Sequence, residues 1–146
     1  MVLETYTTIF YVDDDPDDRM FFEEVTQQIG ESISLFELGD QMLVQLENPP
    51  PHPSVIFLDL NMPVKDGFEV LQEIRENLNL KDVPVIILST TDNPETVNKC
   101  FELGASLYVK KSMSIDELKN SLQYVLSLNW DQHSVSHSNF LYKKLL

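Results

Sequence analysis

Cysteine occurs once in the 146-residue chain. Alone, Cys100 can form neither an intrachain disulfide nor a thiolate metal cluster, which fits a reducing compartment. It reads as a small apolar residue on a helix face. Basic residues are also few: 10 lysines and arginines stand against 24 aspartates and glutamates, a formal net charge of -14. That balance repels a nucleic-acid backbone or an anionic membrane surface at long range, so direct DNA binding is set aside. No apolar run approaches the roughly 18 residues that a membrane helix needs. Glu4 stands where a signal peptide would carry a basic residue. A cytoplasmic location is the expectation. Hairpin turn signals are missing between the apolar runs, and no internal repeat is visible.

What is present is the composition of one compact domain, 42% hydrophobic against 23% charged. Apolar runs at residues 7–12, 54–58 and 84–88 predict strands buried on both faces, and weaker ones fit 33–38 and 107–110. Between them lie helical stripes: Phe21, Val25 and Ile29; a short helix over 41–47; Phe68, Leu71, Ile74 and Leu78; Val97 and Phe101; and Ile115, Leu118, Leu122 and Val125. Asp15-Pro16, Asp40, Asn93-Pro94 and a Ser114 to Glu117 capping box mark helix starts, while Gly30 and Gly104 mark stops. A β-α unit repeated five times implies a parallel sheet covered on both faces. The stretch Pro49-Pro50-Pro51-His52-Pro53 serves as a stiff exposed connector into the third strand.

In such sheets the working crevice lies beyond the carboxyl ends of the strands. There the first strand ends in Asp13-Asp14-Asp15, the third in Asp59, the fourth in Ser89-Thr90-Thr91 and the fifth in Lys110-Lys111. Three carboxylates from neighbouring strands repel one another, and a hard cation with oxygen ligands is the simplest compensation, Mg²⁺ being the natural occupant. Asp15, Asp17 and Asp18 also suit the first turn of a helix through its dipole. Asp59 is harder to explain structurally, because it directly follows a buried run where an unpaired carboxylate is costly.

VDDD at 12–15, LDLNMPVKDG at 58–67, LST at 88–90 and GASLYVKKS at 104–112 together resemble the receiver domain of two-component response regulators. The resemblance covers residues 5–130 and leaves 131–146 as a tail. It implies a flavodoxin-like, doubly wound α/β fold, a five-stranded parallel sheet in order 2-1-3-4-5 with five crossover helices. It implies that Asp59 accepts a phosphoryl group from a sensor histidine kinase or a histidine phosphotransfer protein, giving an acyl phosphate. By the same resemblance Asp14 and Asp59 bind Mg²⁺ directly, Asp13 does so through water, and the main-chain carbonyl of Asn61 completes the protein ligands. Lys111 matches the lysine that pairs with the phosphoryl group, with Lys110 its competitor for the role. Ser89 matches the hydroxyl that moves to it, and Tyr108 the aromatic switch residue that turns inward. Such a chain is a switch rather than an enzyme, catalysing only its own phosphotransfer and dephosphorylation. The family usually carries proline after the lysine, joined by a cis peptide, whereas Ser112 stands here; a cis bond before serine costs about 3–4 kcal/mol.

Rival classes fit less well. A nucleotide binder of the same fold needs small residues and free amides after the first strand, where Asp13-Asp14-Asp15 would repel an anion. An aspartyl-phosphate phosphatase wants a second carboxylate two residues after the nucleophile, where Asn61 stands. A docking-only receiver would be expected to lack one of Asp13, Asp14, Asp59 or Lys111. His133 and His137 have i, i+4 spacing but no third ligand nearby. Phe140, Leu141, Tyr142, Leu145 and Leu146 suit packing on the domain or on a second subunit, and Leu126 and Trp130 extend the last helix. The fourth helix, fifth strand and fifth helix with this extension form a candidate homodimer face. Protein contact with a downstream target, rather than transcription, is the expected output, and the pattern is most similar to the small receivers that serve phytochrome-type and other hybrid kinases.

Overall fold

The computed structural model describes residues 8–47 and 54–143. The expected proline connector, residues 5–7, Leu145 and Leu146 lie outside the described residues. Five parallel strands form one sheet in the order β2-β1-β3-β4-β5: β1 (Thr8–Val12), β2 (Ser32–Phe36), β3 (Ser54–Leu58), β4 (Val85–Ser89) and β5 (Leu107–Lys110). Helices α1 (Pro16–Ile29), α2 (Gly39–Glu47), α3 (Gly67–Glu76) and α4 (Pro94–Glu102) cross over between strands. Then α5 (Ile115–Ser127) follows β5, and a one-turn α6 (His137–Phe140) follows α5.

β1, β3 and β4 are buried along their whole length, as two-sided coverage demands. Because side chains alternate across a strand, β1 sends Phe10 and Val12 to the core under α2, α3 and α4, and Ile9 and Tyr11 to the core under α1 and α5. In-register pairing of Val12 with Leu58 ends β1 and β3 at one level, so Asp13 and Asp59 leave the sheet side by side.

Helix boundaries follow local chemistry. Asp15 caps α1 by accepting from the Asp17 amide at 2.9 Å, and Gly30 closes it in the left-handed conformation at φ 85°. Asp66 and Glu69 form a reciprocal capping box at the start of α3. At α5 the Ser114 hydroxyl accepts from the Glu117 amide at 3.3 Å. Two stripe residues differ from expectation. Leu78 is 84% exposed because the apolar period outruns α3, and Ile115, in the first turn of α5, is 39% exposed at the helix's N-terminal end. In α1 the fully buried apolar residues are Phe22 and Val25, with Phe21 and Ile29 only partly covered.

The Arg75 guanidinium ties the end of α3 to the carbonyls of Val83 and Gly104 at 2.7 Å each and to the Ser106 hydroxyl at 3.2 Å. Val64, 90% exposed in the β3–α3 loop, adopts φ 67°, a left-handed conformation that strains a β-branched residue by about 1–2 kcal/mol. The tail returns to the domain: Phe140 is 2% exposed against Phe101 and Tyr108, and the Tyr142 amide donates to the Tyr108 carbonyl at 2.8 Å. Residues 131–136 are not helical, so His133 and His137 do not share a helix face; their rings pack on Trp130 and Phe101 respectively. Cys100 is buried, and burial pushes its thiol up to about 12, an unreactive state at neutral pH.

Candidate functional site

At the carboxyl edge of the sheet, carboxylate oxygens of Asp13, Asp14 and Asp59 lie within 4.8 Å of one another. Asp13 is completely buried and Asp59 is 4% exposed, while Asp14 is half-buried. Lys111 enters this cluster from the end of β5. Its ammonium lies 2.7 Å from Asp13 Oδ2, 2.8 Å from Asp18 Oδ2 and 3.1 Å from Asp59 Oδ1. Lys110 points the other way, exposed and 3.7 Å from Asp92.

Asp13 is held from every side. Its Oδ1 accepts from the Asp15 amide at 3.0 Å, and its Oδ2 accepts from the Tyr11 hydroxyl at 2.5 Å as well as from Lys111. Burial and the Asp13 carboxylate push the Tyr11 phenol far up, so it stays protonated and donates. Burial opposes the charge on Lys111, but its bonds to Asp13 and Asp18 outweigh that and hold it firmly protonated.

Asp59 shows the strain of the cluster. Burial raises its pKa from 3.8 to about 7; Lys111 works against the rise, while Asp13 and Asp14 add to it. Because the folded value lies above the unfolded one, the group stabilises the fold below about pH 4, and that contribution is lost as pH rises through about 7. In chelator, urea melts of the wild-type chain should therefore show stability falling between about pH 4 and pH 7, and Asp59→Asn should flatten that window. A slope that persists in the variant would place the titration elsewhere.

Ser89 ends β4 fully buried, its hydroxyl accepting from the Thr91 amide at 3.4 Å. Tyr108 lies inward, 0% exposed, and its hydroxyl donates to the Thr91 carbonyl at 2.7 Å. Asn61 is exposed in the turn after Asp59. That turn is shaped by Gly67, whose amide donates to the Leu60 carbonyl at 3.0 Å. Two residues of the constellation escaped the sequence reading: Asp18, taken for a helix-dipole residue, and Tyr11, taken for part of an apolar run. Asp18 lies in the first turn of α1, where its helix-dipole role leaves no local signal of the pairing with Lys111.

A family model described as the response regulator receiver domain matches residues 9–123. The chain belongs to the response regulator receiver family. It is therefore a receiver of the two-component type, and that family works as a signalling switch. The response regulator Rcp1 of Synechocystis is 34% identical over 126 residues, covering 82% of this chain and 86% of Rcp1. The Mn²⁺-bound form of Rcp1 superposes with a TM-score of 0.69 at 29% identity, over 88% of this chain and 98% of that one. The chemotaxis response regulator CheY4 of Vibrio cholerae gives 0.74 at 27% identity, over 83% and 99%. The phosphorylated cyanobacterial phytochrome response regulator RcpA gives 0.71 at 27% identity, over 88% and 96%. A receiver's acidic pocket for a divalent cation is present here as Asp13, Asp14 and Asp59. Their donor set, carboxylate oxygens only, suits a hard cation, and the raised pKa of Asp59 is what a cation would relieve. Among the described residues no helix is long and apolar enough to cross a membrane.

Proposed function

We propose that this receiver accepts a phosphoryl group on Asp59 from a histidine kinase or histidine phosphotransfer partner in a Mg²⁺-dependent step, and signals by protein contact. The observation that carries it is the convergence of Asp13, Asp14 and Asp59 at the end of the sheet, with the Lys111 ammonium paired to Asp13 and Asp59. An Asp59 oxygen attacks the phosphorus of a phosphohistidine; the new P–O bond forms as the P–N bond breaks, and the imidazole leaves with the electron pair. Asp14 and Asp59 would hold Mg²⁺ directly, Asp13 through water and Asn61 through its carbonyl. Both Asp13 oxygens already have donors, which supports its indirect role. The bound cation supplies neutralisation of the phosphoryl oxygens. Lys111 neutralises from the other side, and Ser89 and Tyr108 transmit the change to the surface of α4, β5 and α5. That face, proposed for self-association or target contact, carries the chain's own tail.

Similarity to the phosphorylated RcpA and the Mn²⁺-bound Rcp1 supports this reading. So does the mutual extent of the match, since this chain and Rcp1 each cover more than four-fifths of the other. The test is intact-mass analysis after incubation with Mg²⁺ and acetyl phosphate. One hydroxylamine-labile phosphoryl group on the wild type, absent from Asp59→Asn, is the expected result. A wild type that gains no mass from acetyl phosphate or from a phosphohistidine donor would remove the proposal.

A further inference from the structure

Asp13 Oδ2 has two donors, and one of them has other work. Under the phosphoacceptor reading, on which this inference rests, oxygens newly placed on Asp59 draw on the three hydrogens of Lys111. Those hydrogens are already divided among Asp13, Asp18 and Asp59. A fully buried carboxylate that loses its ammonium partner is costly unless another donor stays behind. The Tyr11 hydroxyl is that donor.

The phenol is built to stay. Tyr11 is 1% exposed, its ring stacks on Phe22 at 4.2 Å, and its backbone is fixed in the centre of the sheet between β2 and β3. From that strand position a side chain must be long and end in a polar atom to reach forward to Asp13, two residues on. An aliphatic residue there would fill the same core and donate nothing.

We propose that Tyr11 is a positioning residue for the metal and phosphoryl site: its hydroxyl fixes the Asp13 carboxylate from behind and so frees Lys111 for the oxygens on Asp59. Without it, Asp13 turns toward Lys111, away from the place where it holds the cation's water, and Lys111 is retained.

Tyr11→Phe removes one oxygen and keeps the ring packing. Isothermal titration should show Mg²⁺ bound about three- to tenfold more weakly than by the wild type. Phosphoryl uptake from acetyl phosphate at saturating Mg²⁺ should slow by a similar factor. Both effects should vanish in an Asp13→Asn background, because the hydroxyl acts through that carboxylate. A purely structural role would give equal losses in both backgrounds, and that result overturns the proposal, as does a Tyr11→Phe chain within twofold of wild type. The wild type alone provides a second measure. The shielded hydroxyl proton of Tyr11 should give a slowly exchanging NMR resonance that shifts on adding Mg²⁺ and again with beryllofluoride, and a resonance indifferent to both would refute the idea. If the wild type binds Mg²⁺ but takes no phosphoryl group, the phosphoacceptor reading falls and the Mg²⁺ affinities still decide for Tyr11. If it binds no Mg²⁺, both fall.

Discussion

Replacing Lys111 by methionine should lower folding stability by about 3 kcal/mol in metal-free buffer and slow phosphoryl uptake by about a hundredfold. The lysine side chain is 15% exposed and is the shared cation of Asp13 and Asp59, whose side chains are 1% and 6% exposed. Methionine fills much of the same volume, so the loss is electrostatic: two buried carboxylates are left facing each other across the cluster. Breaking a buried pair from one side is among the more damaging changes a core can suffer, because the desolvated partner charge remains. Two companion measurements separate this from ordinary misfolding. Acid should restore the variant, since protonating Asp59 removes the repulsion, and Mg²⁺ should restore stability more in the variant than in the wild type. Urea melts at several pH values with and without Mg²⁺ give both answers. Stability equal to wild type in chelator would mean that solvent, not Lys111, satisfies the carboxylates.

The second large effect is expected at Gly67, where the first turn of α3 presses on the active-site strand. A Cβ placed there would collide with the carbonyl oxygen of Asp59 and come within 2.7 Å of the Leu60 Cα. Both are backbone atoms and cannot swing aside. Gly67→Ala should therefore cost about 3 kcal/mol, the upper end for overpacking, and weaken Mg²⁺ binding, because the segment forced to move is the one that carries Asp59. Gly30→Ala is the internal comparison. A Cβ at Gly30 meets nothing within 4 Å, and only its φ of 85° resists the change. A loss of about 1 kcal/mol with unchanged Mg²⁺ affinity is expected at that position. Equal behaviour of the two variants would show that the Gly67 contact relaxes without disturbing the site.

The sheet is legible in the sequence because burial on both faces leaves no room for polar residues within the central strands. The runs at β1, β3 and β4 therefore stand out, and their polar ends mark the crevice. Less legible is whatever depends on distance across the fold. Arg75 looks like any charged helix residue, and only the approach of the α3–β4 and α4–β5 connections gives its guanidinium the carbonyls of Val83 and Gly104 to hold. Tyr11 counts as apolar in any periodicity, although its last atom does polar work. Asp18 satisfies a local rule, the helix dipole, and a tertiary one, the Lys111 pair, and the local rule hides the other. Leu78 fails for the opposite reason: a periodic pattern continues past the point where hydrogen bonding ends the helix. The apolar residues of the tail suggest packing on the domain, but not that Phe140 buries against Tyr108 while the Tyr142 amide pairs with the Tyr108 carbonyl.

That anchored tail closes one side of the sheet. The outer rim of an edge strand offers unpaired amides and carbonyls to any extended chain that comes near, a template for intermolecular sheet growth. On β5 part of that rim is occupied, with Leu141 bridged to Tyr108 and the Tyr142 amide bonded to its carbonyl. The opposite rim, β2, is protected differently, by a strand of only five residues that begins at exposed Ser32 and is flanked by Glu31 and Glu37. One boundary is thus capped by the chain itself and the other by brevity and like charge, so losing the tail would expose the apolar rim of a chain that otherwise keeps its neighbours at a distance.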